Sequence, residues 1–226
     1  PGISFYSFHI SAIMILGFAN MVLLSKILKN IRLKHINFLS YYCLLAFIFI
    51  NIFFYRISEH GTDRSAQILI FLLLMEIMIF VIYKPDYKKS ISLILMLTAL
   101  IISLKAFYVL YLIFIIPILT KMLRNKNINE TFLLLVKNVY FLLFFVIMFF
   151  VSFTSLVNTG CLLYPVEITC FSNLDWAIPS NEVMLMNNWY EQWSKGGATP
   201  NFRVDNPDEY IQYFNWVSNW IDIYFF

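Results

Sequence analysis

Five long apolar runs constrain the fold of this chain more than any other feature of its sequence. A helix needs about 20 apolar residues to cross the hydrocarbon of a bilayer, within a range of roughly 17 to 25. Four runs have that length, and the fifth, residues 90–123, is too long for one comfortable crossing. The four are residues 3–24, 38–55, 66–83 and 131–157. The sequence therefore predicts an all-α fold, a polytopic bundle of transmembrane helices.

The composition favours lipid over water as the solvent. Of 226 residues, 61% are hydrophobic and 13% are charged, whereas soluble domains carry about 25% charged residues. The sequence has no metal-site spacing, no nucleotide-binding glycine loop and no basic patch typical of nucleic-acid binding. We therefore expect membrane lipid as a partner, and no nucleic acid, metal or cofactor.

Charges between the runs predict the orientation of the helices, because cytoplasmic loops of membrane proteins are enriched in Lys and Arg. Residues 25–37, 84–89 and 121–130 carry an excess of basic residues, whereas residues 56–65 are balanced. The two later basic loops both belong inside, so the chain crosses an even number of times between them. We expect a hairpin of two short helices with Lys105 at its outer tip and Pro117 kinking or breaking its return. This gives about six spans in total, two of them short.

The C-terminal part has the composition of a translocated segment. From Ser152 onward it holds eight acidic residues against Lys195 and Arg203. We therefore divide the chain into a transmembrane bundle, residues 1–157, and an extracytoplasmic helical segment, residues 158–226, that leads into a further transmembrane helix. An oxidising compartment favours a disulfide between Cys161 and Cys170.

Two helix starts are expected in that outer segment. Ser180 is expected to cap a helix over residues 181–194. Asn206 and Pro207 are expected to begin a second helix that carries both Trp216 and Trp220. Tryptophans four residues apart suit a helix at the membrane interface, and they equally suit ordinary aromatic packing.

A short outer loop contains the densest group of chemically active side chains. Glu59, His60, Asp63 and Arg64 combine two carboxylates, an imidazole and a guanidinium. Arg64 suits a phosphate and either acid suits a general base, but the same residues also fit a hydrated loop with its own salt bridges. Lys105, on the same side, is either a ligand for a lipid phosphate or an interfacial anchor.

Glu76 is the one acidic residue near the middle of a predicted span. An intramembrane carboxylate costs several kcal/mol unless it is protonated, paired or facing a polar cavity. Glu76 is therefore either a protonated group bonded to a neighbouring helix or a proton- or substrate-binding group in a cavity.

Three stretches carry a family resemblance: EHGTDRSAQ at residues 59–67, TGCLLYP at 159–165 and CFSNLDW at 170–176. They resemble uncharacterised bacterial polytopic proteins associated with surface-polysaccharide synthesis, which look like GT-C glycosyltransferases. Such enzymes take sugars from polyprenyl-phosphate donors at the outer face, and the hairpin around Lys105 is similar to their paired short helices. The resemblance implies an inner-membrane location, a lipid-linked sugar donor and a glycan acceptor. It makes Asp63 and Glu59 candidate catalytic acids, and His60, Arg64 and Lys105 candidate substrate-binding residues.

The sequence departs from that family in one respect. GT-C enzymes usually place the catalytic acid in their first outer loop, and no such loop precedes Ile3. The chain opens at Pro1 without Met and stops in an apolar run, so we expect a fragment of a longer protein from which the catalytic acid is missing. The resemblance then makes Glu59, Asp63, Arg64 and Lys105 accessory substrate-binding groups. Three functions remain open: a glycosyltransferase-like enzyme, a polysaccharide polymerase or ligase, and a transporter or flippase with Glu76 as its coupling group.

Overall fold

The structure, a computed structural model, is mostly helical and falls into two compact units, Pro1–Phe149 and Phe150–Phe226. It describes residues 7–34, 37–54, 62–83, 87–125, 130, 133, 135–199 and 202–225.

The first unit is a helical bundle. Its helices are α1 (Ser7–Arg32), α2 (Phe38–Phe53), α3 (Asp63–Tyr83), α4 (Tyr87–Leu104), a 3-10 helix (Ala106–Phe114) and α5 (Ile115–Asn125). A further helix, α6 (Val139–Thr159), begins in the first unit and ends in the second.

The core of the first unit forms around α3, which packs against α1, α2, α4 and α5. Leu72, Leu73 and Phe80 of α3 are fully buried, as are Ile50 of α2 and Ile94 of α4. The outward sides of α1 and α2 expose large apolar residues instead, including Met14, Met21 and Phe38. An apolar exterior around an apolar core is what a lipid solvent allows.

Hydrogen bonds fix the direction of each helix in the bundle. Asn20 and Asn51 exchange side-chain hydrogen bonds of 3.2 and 2.8 Å, and Asn30 donates to Ser40, so α1 and α2 are antiparallel. Lys105 reaches the first residue of α3, and Lys121 donates to carbonyls near its last turn. The segment from Lys105 to Asn125 therefore runs parallel to α3 and antiparallel to α4.

Three helices among the described residues are long and apolar enough to cross a membrane: His9–Arg32, Asp63–Ile82 and Val139–Thr159. Shorter apolar helices lie at Phe38–Phe53, Ser90–Leu104 and Tyr108–Lys121. These features are compatible with a membrane protein. The expected number of six spans is not reached by this criterion, because half of the apolar helices are shorter than a full crossing requires.

Two predicted boundaries in the first unit were wrong. The predicted loop at 25–37 is helical as far as Arg32, because residues 25–32 lack Gly and Pro and place Lys29 and Arg32 in the last turn, where the helix dipole favours them. The span predicted over 131–157 becomes α6, starting at Val139, because Asn138 accepts a 3.0 Å bond from the Tyr140 amide and caps the helix.

Pro117 is the third residue of α5, which follows the 3-10 helix directly. A kink at Pro117 stays a prediction. The break in the apolar region 90–123 occurs at Lys105, which lies between α4 and the 3-10 helix in an extended conformation.

The second unit begins with the end of α6 and is also mostly helical. A one-turn 3-10 helix (Glu167–Thr169) precedes α7 (Ser180–Ser194), a two-stranded antiparallel sheet of β1 (Ala198–Thr199) and β2 (Phe202–Arg203), α8 (Pro207–Ile211) and α9 (Val217–Phe225). The small sheet is an addition to the predicted all-helical segment. Gly197 directly precedes β1 and packs closely against Tyr210. A Cβ at this position would lie 2.4 Å from the Tyr210 ring.

Two details of the predicted outer helices were wrong. Pro179 rather than Ser180 is the N-cap of α7, and it makes no side-chain cap. The helix started by Asn206 and Pro207 ends at Ile211, so Trp216 precedes α9 instead of sharing a helix with Trp220. The two indole rings still contact each other edge to face, with centroids 6.1 Å apart.

Candidate functional site

Asp63 and Lys105 meet where α3 begins and α4 ends. Asp63 opens α3, where a negative charge is stabilised by the partial positive charge of the helix N-terminus. Lys105 occupies the turn after α4, and the Thr62 hydroxyl donates a 2.8 Å hydrogen bond to the Leu104 carbonyl. Residues distant in sequence are thus held together at one end of the first unit.

The ion pair between Asp63 and Lys105 is bidentate. The Lys105 Nζ atom lies 2.6 Å from Oδ1 and 2.7 Å from Oδ2 of Asp63. The side chains of Lys105 and Asp63 are 39% and 34% exposed, so solvent reaches the pair but does not surround it. Charge-assisted contacts of this length are among the stronger hydrogen bonds in proteins.

Arg64 follows Asp63 but has different partners. Its guanidinium lies over the Phe54 ring, 4.7 Å from the centroid, and its Nη1 atom donates a 3.2 Å hydrogen bond to Gln67 Oε1. Both contacts hold the guanidinium at the same end of the bundle as Lys105. A guanidinium has five N–H donors in a planar fork, which suits a phosphate or carboxylate.

Three further residues belong to this group and were not predicted as site residues: Thr62, Gln67 and Tyr108. Tyr108 lies beside Gln67 and within electrostatic range of Asp63. Tyr108 follows Lys105 by three positions, and a 3-10 helix, with three residues per turn, aligns positions three apart. Tyr111 and Phe114 continue that alignment, with ring centroids 5.6 and 5.5 Å apart along the series.

The structure does not bring Glu76 into this group. Glu76 lies on α3 and is buried, with 8% of its surface exposed. It is 13 positions after Asp63, or about 20 Å along the helix axis. It lies close enough to the Cys43 thiol of α2 for its charge to act on it, as does Lys26 of α1. Glu76 is therefore separate from the Asp63 site and lies in the bundle core, near α1 and α2.

Glu59 and His60 lie outside the described residues. Among the residues that the structure describes, no group of three or more His, Cys, Asp or Glu side chains is arranged to hold a metal ion. The chemistry available in the described part of the site is that of one carboxylate, two fixed cations and neutral hydrogen-bonding groups.

In the second unit, Cys161 and Cys170 form a disulfide, and the two residues also pair as an isolated antiparallel bridge. The Thr169 hydroxyl donates to the Leu163 carbonyl inside the closed loop. Burial, with smaller contributions from Tyr190 and Glu182, raises the pKa of the neighbouring Tyr164. The loop is thus cross-linked and internally hydrogen-bonded.

The family described as a domain of unknown function (DUF8201) matches residues 2–225. No curated protein and no solved structure shows significant similarity to the chain.

Proposed function

The chain belongs to the DUF8201 family, a domain of unknown function, and we propose that it is a glycosyltransferase-like protein of a bacterial inner membrane. In this proposal it acts in surface-polysaccharide assembly and uses lipid-linked sugars. The observation that carries the proposal is the site at the start of α3, where an ion-paired carboxylate and a second fixed cation lie at one end of an apolar bundle.

The distribution of charge supports an outward-facing site. Lys29 and Arg32 end α1, and Lys121 and Arg124 lie on α5. Phe54, at the end of α2, contacts Arg64 at the start of α3, so α2 is antiparallel to α3 as well as to α1, and α1, α3 and α5 run parallel. These basic residues therefore gather at the end of the bundle opposite Asp63. The proposed topology places that basic end in the cytoplasm. It counts α1 to α4, the segment 106–125 and α6 as six crossings.

The proposed reaction uses the charges of the site directly. An acceptor hydroxyl attacks the anomeric carbon of the donor, and its oxygen forms the new glycosidic bond. The bond from that carbon to the phosphate oxygen breaks, and its electron pair leaves with the polyprenyl phosphate. Asp63 takes the hydroxyl proton, and Lys105 and Arg64 neutralise the departing phosphate. Glu59 and His60 remain a second candidate acid and a substrate-binding residue.

The net charge of the described site favours an anionic ligand. Lys105 and Arg64 together outnumber Asp63 by one positive charge. A phosphate arriving at this end of the bundle competes with Asp63 for Lys105, and release of Asp63 frees a carboxylate to act as a base. In this mechanism the ion pair is the resting state of the catalytic group.

Mass spectrometry of surface and lipid-linked glycans tests the proposal. Glycans are compared between strains with and without the full-length gene, and the deletion is complemented with wild type, Asp63→Asn, Arg64→Met or the control Lys29→Met. We expect the deletion to lose a sugar, wild type and Lys29→Met to restore it, and the two site variants to restore less than a tenth. An unchanged glycan profile in the deletion strain contradicts the proposal. Full complementation by both site variants contradicts the assigned roles.

Two alternative functions give different results in the same strains. A polymerase or ligase shortens or detaches the glycan chain without losing a sugar from the repeat unit. A transporter or flippase is favoured by the burial of Glu76 in the core of α3. Under that reading Glu76→Gln abolishes transport, whereas under the glycosyltransferase reading it leaves sugar transfer largely intact.

A further inference from the structure

The loop after α6 is attached to the end of a helix that exposes a continuous apolar face. Exposed apolar residues occur throughout α6, including Phe145, Phe149, Phe153 and Val157. The helix is 21 residues long, which corresponds to about 31 Å at 1.5 Å per residue. This length matches the hydrocarbon thickness of a bilayer, about 30 Å. A crossing by α6 therefore places Thr159 at the edge of the hydrocarbon.

Two hydrogen bonds hold the loop against this end of α6, and a third closes the loop on Gly160, the residue after α6. The Phe171 amide donates to the Gly160 carbonyl at 2.9 Å, and the Ile178 amide donates to the Thr159 carbonyl at 3.1 Å. The indole Nε1 of Trp176 donates to the Leu156 carbonyl at 3.3 Å. Leu156 precedes Thr159 by three positions, or about 4.5 Å along the axis. The indole therefore reaches back beside the last turn of α6.

The surface of the loop is apolar for an exposed segment. Trp176 is 57% exposed and Ile168 is 93% exposed, and Leu162 and Phe171 are also exposed. Residues 160–178 contain two charged residues, Glu167 and Asp175, and no basic ones. The Cys161–Cys170 disulfide holds much of this surface in one conformation, so little conformational entropy is lost when it binds a partner.

We infer that the loop 160–178 is a membrane-contacting element whose partner is the lipid interface around the end of α6, with Trp176 as its anchor. The headgroup region on each side of the hydrocarbon is roughly 5–8 Å thick. A loop hydrogen-bonded to Leu156, Thr159 and Gly160 lies within that layer. Tryptophan is the residue enriched there, because its ring is apolar and its N–H finds a polar partner. The inference rests on the proposed crossing by α6 but not on the proposed chemistry.

Quenching of tryptophan fluorescence by brominated lipids tests this contact. All five tryptophans lie between residues 176 and 220, so the native emission reports on the second unit alone. The full chain is placed in nanodiscs whose lipids carry bromine at acyl positions 6 and 7, or deeper at positions 11 and 12. If the five residues emit equally, Trp176→Phe removes about one-fifth of the emission. We expect that lost part to be quenched more by the shallow bromines than by the deep ones.

Two further variants separate the possible outcomes. Trp189→Phe is the matched control, and it should leave the shallow-quenched component in place. Phe149→Trp introduces a reporter at the middle of α6, and the deep bromines should quench it. The loop contact is overturned if the deep bromines quench Phe149→Trp strongly but Trp176→Phe leaves the quenched fraction unchanged. That result keeps the crossing by α6. No quenching of either reporter overturns the crossing itself, and glycan analysis then decides the proposed chemistry independently.

Discussion

The bidentate pair of Asp63 and Lys105 should contribute measurably to the stability of the first unit. A double-mutant cycle isolates that contribution. The single variants are Asp63→Asn, which keeps one acceptor oxygen, and Lys105→Met, which keeps most of the aliphatic chain. The double variant removes both charges. Effects of the lost helix-dipole interaction at Asp63 cancel in the cycle, because they occur with and without Lys105.

The exposure of the pair sets the expected size of the effect. Fully exposed ion pairs contribute roughly 0.2–1 kcal/mol, whereas removal of one partner from a fully buried pair costs about 3–5 kcal/mol. The two side chains here are 34% and 39% exposed and make two short contacts. We therefore expect Lys105→Met to cost about 1–2 kcal/mol and the coupling in the cycle to be about 1 kcal/mol. For a chain of this size, 1 kcal/mol lowers Tm by roughly 2–4 °C.

Cys43 supplies the assay. The chain has three cysteines, two of which form the disulfide, so Cys43 is the free thiol, and it is fully buried in the bundle. A thiol-reactive fluorophore therefore reports unfolding of the first unit during heating in detergent. Cys43→Ser provides the blank.

Lys29→Met is the matched control, since Lys29 has no ion-pair partner among the described residues. It should shift Tm by less than 1 °C, the change expected for about 0.3 kcal/mol. A coupling energy indistinguishable from zero, or a shift for Lys105→Met no larger than that for Lys29→Met, would refute the reasoning.

Three further predictions follow from other contacts. Lys121→Met should lower stability by about 1–2 kcal/mol in the same thiol assay, because carbonyls near the end of α3 lose a charged donor, and Lys121→Arg should restore part of it. Replacing Cys161 and Cys170 by Ser should destabilise the second unit by on the order of 2–3 kcal/mol, and mass labelling of denatured wild type should count one free thiol before reduction and three after it. Asn20→Leu should cost about 0.5–1.5 kcal/mol in the thiol assay by breaking the reciprocal amide pair, and adding Asn51→Leu should cost little more, because no unmatched amide is left.

The helical class and the break in the long apolar region were readable from the sequence. Both depend on strong, local signals: runs of apolar residues, and the charge pattern that required an even number of crossings between two basic loops. The structure ends α4 at Leu104 and begins the next helix at Ala106, on either side of Lys105 near the middle of that region. A charged residue in a long apolar run indicates a break between helices, because a charge is costly inside the hydrocarbon.

Helix boundaries were less accessible because they depend on small energies. The basic residues after residue 24 signalled a loop, yet Lys and Arg are good helix formers, and α1 continues through them to Arg32. Trp216 and Trp220 fit one helical face, but a break in which Tyr213 has a φ of +51° separates both from the helix that Asn206 and Pro207 begin. Tertiary contacts such as the hydrogen bond from Asn219 to the Gly196 carbonyl decide such breaks, and no local pattern reveals them.

The site was only partly accessible for the same reason. Asp63, Arg64 and Lys105 were candidates because charged groups are rare in this chain, but their separate partners were not predictable. Pairing of Asp63 with Lys105 requires α4 to return to the level of residue 63, which is a property of the bundle. Gln67 and Tyr108 carry no charge and gave no signal until the helix between Lys105 and α5 was known to be a 3-10 helix.

That 3-10 helix also sets a length. It rises about 2.0 Å per residue against 1.5 Å in an α-helix, so its nine residues are about 4–5 Å longer than α-helical winding would make them. Lys105 binds the first residue of α3 and Lys121 binds its last turn, at points about 25 Å apart along the helix axis. Winding residues 106–114 into an α-helix would draw the two lysines together and turn one about the axis by about half a revolution relative to the other. The 3-10 helix is therefore a spacer that sets the distance at which both lysines bind α3.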